Sequence, residues 1–455
     1  MPKSDEAVKA AVEQLLGYRV AERDRLERIS LYVQDPDPSK PSIMTVNGQR
    51  LGPTAYLPAD TPDDVRRLAN MARVNMLKFV VNGIVQAMYV DGFRAPKAGD
   101  DHPSWETWQL NRLNARQTGV HRAAVTYGAS YVTVLPGDSA PVIRGASPKK
   151  LTTVYGADDD EWPIMALERR RSATKGVKLY RLIDDTSVYW VAKDDKDKLH
   201  VIRTEHHDLG VTPVVRFYPS IDEDDEPAVE GDVEPLIPLQ DQINITTFGL
   251  LVAQHYGAFR QRYIIGWMAD SEAQAVEASA RKLWTFEDDE VKVGEFGQTD
   301  LKGYIESREA TLRHLATVSQ TPAHELLGQL VNLSAEALAA AEASHRRKVE
   351  ERQTVMGESW KQVLQLAGDI RTDAIDPMAQ VRWRDTESRS LAQVADALGK
   401  LASQLGIPKE ELWERIPGVS QDEVARWKEA AKNGDAISQL TAMLGAQADD
   451  AEEAI

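Results

Sequence analysis

Between Ser334 and Gly368 the chain runs for more than thirty residues without a proline and with one internal glycine, Gly357. Ser334 is a good capping residue, so the segment predicts a single helix about 50 Å long at roughly 1.5 Å per residue. It is alanine-rich at its start (AEALAAAEAS) and charged in its middle (HRRKVEER), too sparsely apolar for an ordinary core helix. After it come one strand-like segment, MAQVRWRD, and a helical cluster opening with LAQVADALGKL. A rod in that setting suits a wall or lever in an assembly better than a catalytic scaffold.

At 455 residues with 42% hydrophobic content, the chain exceeds one compact core and can bury several, which predicts about two to four subdomains. A net charge of −17 argues against a protein whose main task is a static grip on phosphates. The absence of cysteine excludes disulfides, thiolate metal sites and cysteine nucleophiles, and fits a reducing cytoplasm. The N-terminus, MPKSDEAVKAAVEQLL, lacks the apolar core of a signal peptide. The uncharged run Gln242–Phe259 contains Asn244, Thr246, Thr247, Gln254 and His255, which points to a buried soluble helix rather than a membrane span.

Along the chain, residues 5–30 predict an amphipathic helix with Val8, Ala11, Val12, Leu15 and Leu16 on one side. A Pro-, Asp- and Gly-rich loop spans 35–62. Thr61-Pro62-Asp63-Asp64 then opens a helix, with a strand expected around 84–89 and a turn at Asp91-Gly92. Trp105, Trp108, Gln117 and Val120 carry a helical period that stops at Gly128, and Tyr131–Leu135 is strand-like. From 142 to 218 short runs such as KLYRLI, SVYWVA and LHVIR predict a β meander with helices on one side, an α+β arrangement. The acidic run 221–234 is a boundary with the composition of a solvated loop.

Residues 235–259 predict a helix with two apolar stripes, Leu239, Ile243 and Leu250 on one and Ile245, Phe248, Val252 and Phe259 on the other. Such a helix must be covered on both sides. A small mixed module with strands in RYIIGWM and LWTFEDDEVKVGEF follows, and then a returning helix that stops at Thr321-Pro322. The strand in MAQVRWRD has no neighbour in sequence and is expected to pair with the first half. Leu391, Val394, Leu398, Leu401 and Leu405 have helical spacing, and Ser420 and Glu423 form a capping box.

Site chemistry is sparse. The nine histidines are scattered, and adjacent His206 and His207 would point to opposite faces of a strand. No HExxH, phosphate-binding Gly-Lys-Ser/Thr loop or GxSxG elbow occurs. No catalytic residue, metal site or cofactor is expected. The basic cluster His345, Arg346, Arg347, Lys348 and Arg352 is expected to pair with Glu342, Glu350 and Glu351 or with a neighbouring subunit, with transient contact to nucleic acid as the alternative.

Five ordered segments together resemble the portal proteins of tailed bacteriophages, of the siphovirus type. They are WETWQLNRLNARQTGVHRAAVTYGASYVTVLP, HHDLGVTPVVRF, PLQDQINITT, TPAHELLGQLVNLSAEALAAAEASHRRKVEE and VRWRDTESRSLAQVADALGKLASQLGIP. They cover roughly residues 25–430 in family order. Gly231-Asp232-Val233-Glu234 departs from the family's Gly-x-Ser/Asp-Glu-Ile pattern.

The resemblance implies a portal-type α+β fold. Its parts would be a wing at 1–234, stem helices at 235–258 and 304–320, and a clip at 259–303. A channel (tunnel) loop would follow at 321–334, then a long helix and returning wing strand at 335–388, a helical crown at 389–435 and a flexible tail at 436–455. It implies a homo-oligomeric ring, commonly a dodecamer, at the capsid portal vertex of the virion, assembled in the host cytoplasm. Double-stranded DNA would pass through it during packaging and ejection. Implied partners are the terminase large subunit, the head-tail adaptor, and major capsid and scaffold proteins, with no membrane.

By the same resemblance the channel loop would present His324, Gln329, Leu330 and Asn332, with Gln329 and Asn332 near the axis. The stem would meet neighbouring subunits through Ile243, Phe248, Leu251, Val252, Leu312 and Leu315. The clip would dock terminase or adaptor through Trp267, Trp284, Glu287, Asp288 and Asp289. Phe248→Asp is expected to block ring assembly while leaving expression intact. The alternatives are a packaging nuclease, which would need a metal-binding carboxylate cluster, and a capsid scaffold, which would be more uniformly helical.

Overall fold

The apolar stripe of Val8, Ala11, Val12 and Leu15 seats the N-terminal helix, Asp5–Val33, on one face of a β meander. The computed structural model describes residues 3–35, 37, 42–94, 103–156, 161–221, 230–257, 262–265, 292–295, 300–328, 335–373, 375–384, 391–416, 419 and 423–432. These divide into two compact units. One comprises Met1–Leu26, Val81–Asp232 and Arg346–Ile455; the other comprises Glu27–Val80 and Val233–His345.

In the first unit, strands Leu151–Val154, Met165–Arg170, Lys178–Ile183, Ser187–Lys193 and Leu199–His206 form a five-stranded antiparallel meander in chain order. The side-chain period of two separates its faces. Leu167, Leu182 and Tyr189 lie in one cross-strand row beneath the N-terminal helix, while Ala166, Ile183 and Val188 form the row on the opposite face. That second face packs on Ala129, Tyr131 and Val214 of a three-stranded sheet. Its central strand is Ser130–Leu135, flanked by Val142–Ala146 and Val214–Phe217.

The expected helix ahead of this sheet is two helices, Pro103–Leu110 and Leu113–Tyr127, separated at Arg112, which adopts a left-handed conformation. The long helix spans Ala335–Arg371. Within this unit Met356, Trp360, Val363, Leu364 and Ala367 recur at helical spacing and are buried, so the polar rod has an apolar face at its C-terminal end.

The returning strand, Gln380–Trp383, pairs antiparallel with Val90–Arg94, so its partner does come from the first half of the chain. The strand expected at 84–89 is not formed. Met76–Gln86 is helical, and Asp91 and Gly92 lie inside strand Val90–Arg94 rather than in a turn. Leu77, Val80, Val81, Ile84, Val85 and Met88 are all buried. Their spacing, i, i+3, i+4, i+7, i+8 and i+11, is that of one helix face, and it runs on through the residues expected to be a strand.

The second unit contains a β-hairpin, Met44–Val46 with Gln49–Leu51. Its two-residue turn, Asn47-Gly48, has φ of 49° and 79°, the double positive-φ geometry that these residue types tolerate best. Helix Asp63–Met71 begins after Pro62, with Asp63 and Asp64 in its first turn. Helices Ile237–Gly257 and Lys302–Ser319 pack on each other, and strands Arg262–Ile265 and Lys292–Glu295 pair antiparallel in the segment between them. Residues 27–80, expected with the first 234, group with this helix pair because long-range contacts unreadable from local pattern hold them there.

Candidate assembly and channel surfaces

Gly249, in the second half of helix Ile237–Gly257, faces Tyr304 near the start of helix Lys302–Ser319. A Cβ at Gly249 would stand 2.9 Å from the tyrosine ring. A late residue meeting an early one is the pairing of an antiparallel helix hairpin, out and back. Of the residues expected between subunits, Ile243, Leu312 and Leu315 are fully buried within the chain itself. Phe248, Leu251 and Val252 are half-buried, and the Phe248 ring lies 5.6 Å from that of Tyr56 in the same unit. Among the described residues, the solvent-facing large apolar side chains of the pair are Ile245, Ile305 and Val318, exposed by 46%, 47% and 57%, with Tyr304 at 37%.

The base of the first helix is tied down by a polar cluster that the sequence did not suggest. The Tyr32 hydroxyl donates to the Asp241 carboxylate at 2.8 and 3.0 Å. Burial pushes the Asp241 carboxyl above its ordinary range against that hydrogen bond, and pushes the Tyr56 hydroxyl up to about 12. The Gln240 side chain accepts from the Met76 amide at 3.0 Å and donates to the Val74 carbonyl at 2.7 Å.

The channel-loop segment begins with a short helix, Ala323–Leu327, held by buried Leu326 and ending at Gly328. His324 sits half-buried on it. Gln329, Leu330 and Asn332 lie outside the described residues, as do the clip residues Trp267, Trp284, Glu287, Asp288 and Asp289, Ser420 of the capping box and the tail beyond residue 432.

The basic cluster of the long helix does not find its main partner on its own helix. Lys348 Nζ lies 2.5 Å from Asp232 Oδ1, and Arg352 donates to the same carboxylate at 3.3 Å and to the Pro219 carbonyl at 2.9 Å. Arg352 also approaches Glu351 at 3.4 Å, a contact of the expected kind. Asp232 belongs to the acidic run expected to be solvated, yet its side chain is only 6% exposed. Its neighbour explains the depth: a Cβ on Gly231 would stand 2.5 Å from the Thr126 carbonyl oxygen and 2.6 Å from the Gly128 nitrogen. Glycine alone lets the chain approach this closely.

Further along the helix, the Trp360 indole N–H donates to His121 Nε2 at 2.8 Å, while His121 Nδ1 donates to the Met88 carbonyl at 3.1 Å. The imidazole is therefore neutral with its proton on Nδ1, and burial pushes its pKa down to about 4. Trp108 and Phe217 pack edge-on against Trp360 at 4.8 and 4.7 Å.

Among the described residues, no group of three or more His, Asp or Glu side chains could hold a metal ion, and no helix is long and apolar enough to cross a membrane.

Comparison with known proteins follows the same line. The family described as "Phage portal protein, SPP1 Gp6-like" matches residues 25–435. The portal protein of Mycobacterium phage D29 is 24% identical over 392 residues, covering 79% of each chain. That of Mycobacterium phage L5 is 25% identical over 405 residues, covering 81% of this chain and 80% of its own. A solved structure described as the neck of a native GTA particle computed with C12 symmetry shares 14% identity, with a TM-score of 0.47 over 80% of this chain and 96% of its own. The match spans the meander, the helix pair and the long helix alike, and the chain belongs to the SPP1 Gp6-like family of phage portal proteins.

Proposed function

We propose that copies of this chain close into a ring, a dodecamer, whose central channel passes double-stranded DNA at the portal vertex of the capsid. Family membership supports the reading, and the observation that carries it is the helix pair. Ile245, Ile305 and Val318 stand uncovered on a hairpin whose inner contacts, Ile243, Leu312 and Leu315, are already satisfied within the chain. An adjacent copy on each side covers both faces of such a pair, and repetition of that heterologous contact closes a ring.

In this reading the helix pair is the stem, and the segment between its helices is the clip that docks the terminase large subunit and the head-tail adaptor. The segment from His324 to Asn332 reaches toward the channel axis. The net charge of −17 suits the task, because a wall poor in cations leaves a phosphate polymer free to move, whereas an arginine-lined wall would hold it. Photo-cross-linkers at Gln329 and Asn332 in DNA-filled particles test the channel assignment. Adducts with DNA are expected, and adducts arising only from other positions would contradict it.

A further inference from the structure

Arg216, in strand Val214–Phe217, has its guanidinium 4.5 Å from the ring centre of Tyr155 and 5.0 Å from that of Tyr218. Two aromatic rings fix the plane of the cation in advance of any partner, which lowers the entropy lost on forming a forked ion pair. Its Nε is shielded from solvent with no hydrogen-bond partner among the described residues, and no described carboxylate forms an ion pair with it.

The same side chain lines an open groove of about 390 Å³ with Tyr218, Glu161, Glu358, Lys361 and Gln362. Ser359 in the same wall donates to the Arg216 main-chain carbonyl at 3.0 Å, which leaves the guanidinium untouched. Lys361 and Glu358 pair at 3.1 Å, and the Gln362 amide donates to the Glu161 carbonyl at 3.3 Å. Arg216 is thus the lining cation left without a described counter-ion, on a wall made by a strand and by the long helix.

We propose that this groove receives a carboxylate side chain from a second copy of the chain, which forms a forked ion pair with Arg216. That volume has room for several groups of a peptide and is far more than a single ion needs. With Lys361 offset by Glu358, and Glu161 also in the wall, the groove has no positive excess to hold a nucleic-acid backbone, whereas a peptide brings one carboxylate for the cation Arg216. The chain itself is rich in such groups, with 71 acidic against 54 basic residues. A ring also requires each copy to offer a receptor on one side and a different, projecting surface on the other. The inference rests on the ring reading.

The test places a benzophenone amino acid at Gln362 in the full chain and mixes ¹⁵N-labelled with unlabelled copies before irradiation. The expected adduct joins two copies through a peptide containing Asp or Glu. It falls about tenfold in R216Q, as removal of one partner from a desolvated charge pair requires, and partly recovers in R216K, which restores charge but not the fork. Circular dichroism and thermal melts confirm that both variants fold, and the R216K arm stands if R216Q does not. Adducts confined to a single copy, adducts insensitive to Arg216, or none at all would overturn the proposal. Electron micrographs of the same samples separate the two readings: rings without the adduct sink the groove assignment alone, and absence of rings even at high concentration with capsid and scaffold proteins present sinks the ring reading.

Discussion

The indole N–H of Trp360 donates to Nε2 of His121, 239 residues away in sequence, at 2.8 Å with both side chains fully buried. This bond and the aromatic packing around it hold the C-terminal half of the long helix against helix Leu113–Tyr127. Trp360→Phe keeps most of the volume but leaves Nε2 unsatisfied, which costs about 1–3 kcal/mol. Trp360→Ala also opens a cavity and costs about 3–5 kcal/mol. Thermal melts should rank the two in that order, and a melting temperature of Trp360→Phe equal to that of the wild type would remove the hydrogen bond from the account.

The same histidine predicts an acid limb. Its folded pKa, about 4, lies below the ordinary value of 6.5, so the unfolded chain binds the extra proton first. The stability is present above pH 6.5 and is lost as pH falls toward 4, by roughly 3 kcal/mol for a shift of this size. Denaturation of the wild type and of His121→Gln between pH 7 and pH 4 checks this. The variant should lose less stability over that interval, and parallel curves would contradict it.

Asp232 is shared by two cations from the long helix, Lys348 and Arg352. Asp232→Asn leaves both without their shared carboxylate and should cost about 3–5 kcal/mol. Lys348→Met, which leaves the Arg352 contact in place, should cost less. Chemical denaturation that ranks Lys348→Met as the more damaging change would overturn the assignment of Asp232 as the centre of the cluster.

Two glycines should respond oppositely to alanine. At Gly231 a methyl meets the backbone of Thr126 and Gly128, and relief of that overlap costs about 1–3 kcal/mol. At Gly17, inside helix Asp5–Val33, nothing lies within 4 Å, so alanine should stabilise by roughly 0.5–1 kcal/mol. Melting temperatures that move in the same direction for both would contradict the packing described.

How much of this was readable depends on the range of the interaction. The long helix, the meander strands and the apolar face of the N-terminal helix follow from local spacing, and the structure forms them there. The hairpin at Asn47-Gly48 was also readable, because that dipeptide is a strong turn signal, yet it was lost inside a Pro- and Gly-rich stretch. The helix Met76–Gln86 was readable too, since Leu77, Val80, Val81, Ile84, Val85 and Met88 keep a helical period, but the short apolar run at its end resembles a strand when taken alone. Asp232, His121 and Asp241 gave no signal. Each matters through a partner more than a hundred residues away, and a lone acid or histidine in sequence reads like any solvated one. The division of apolar residues into inner (Ile243, Leu312, Leu315) and outer (Ile245, Ile305, Val318) sets likewise needed the helix pair in three dimensions.

On the proposed ring reading, the outer set carries the contact between copies. Ile305→Asp with Val318→Asp places charge on an apolar face that the isolated chain leaves in water. Folding should change by no more than about 0.5 kcal/mol while association is lost. Phe248→Asp is a less selective probe, because that ring also packs on Tyr56 within its own chain. Native mass spectrometry should report monomers for the double variant with an unchanged melting transition. Intact rings would mean that these residues do not carry the contact.

The most direct test of the whole account is electron microscopy of the purified chain with end-on class averages. The account predicts closed rings with a central hole and twelve subunits. A population of monomers and small dimers that stays ring-free at high concentration and with capsid and scaffold proteins present would contradict it.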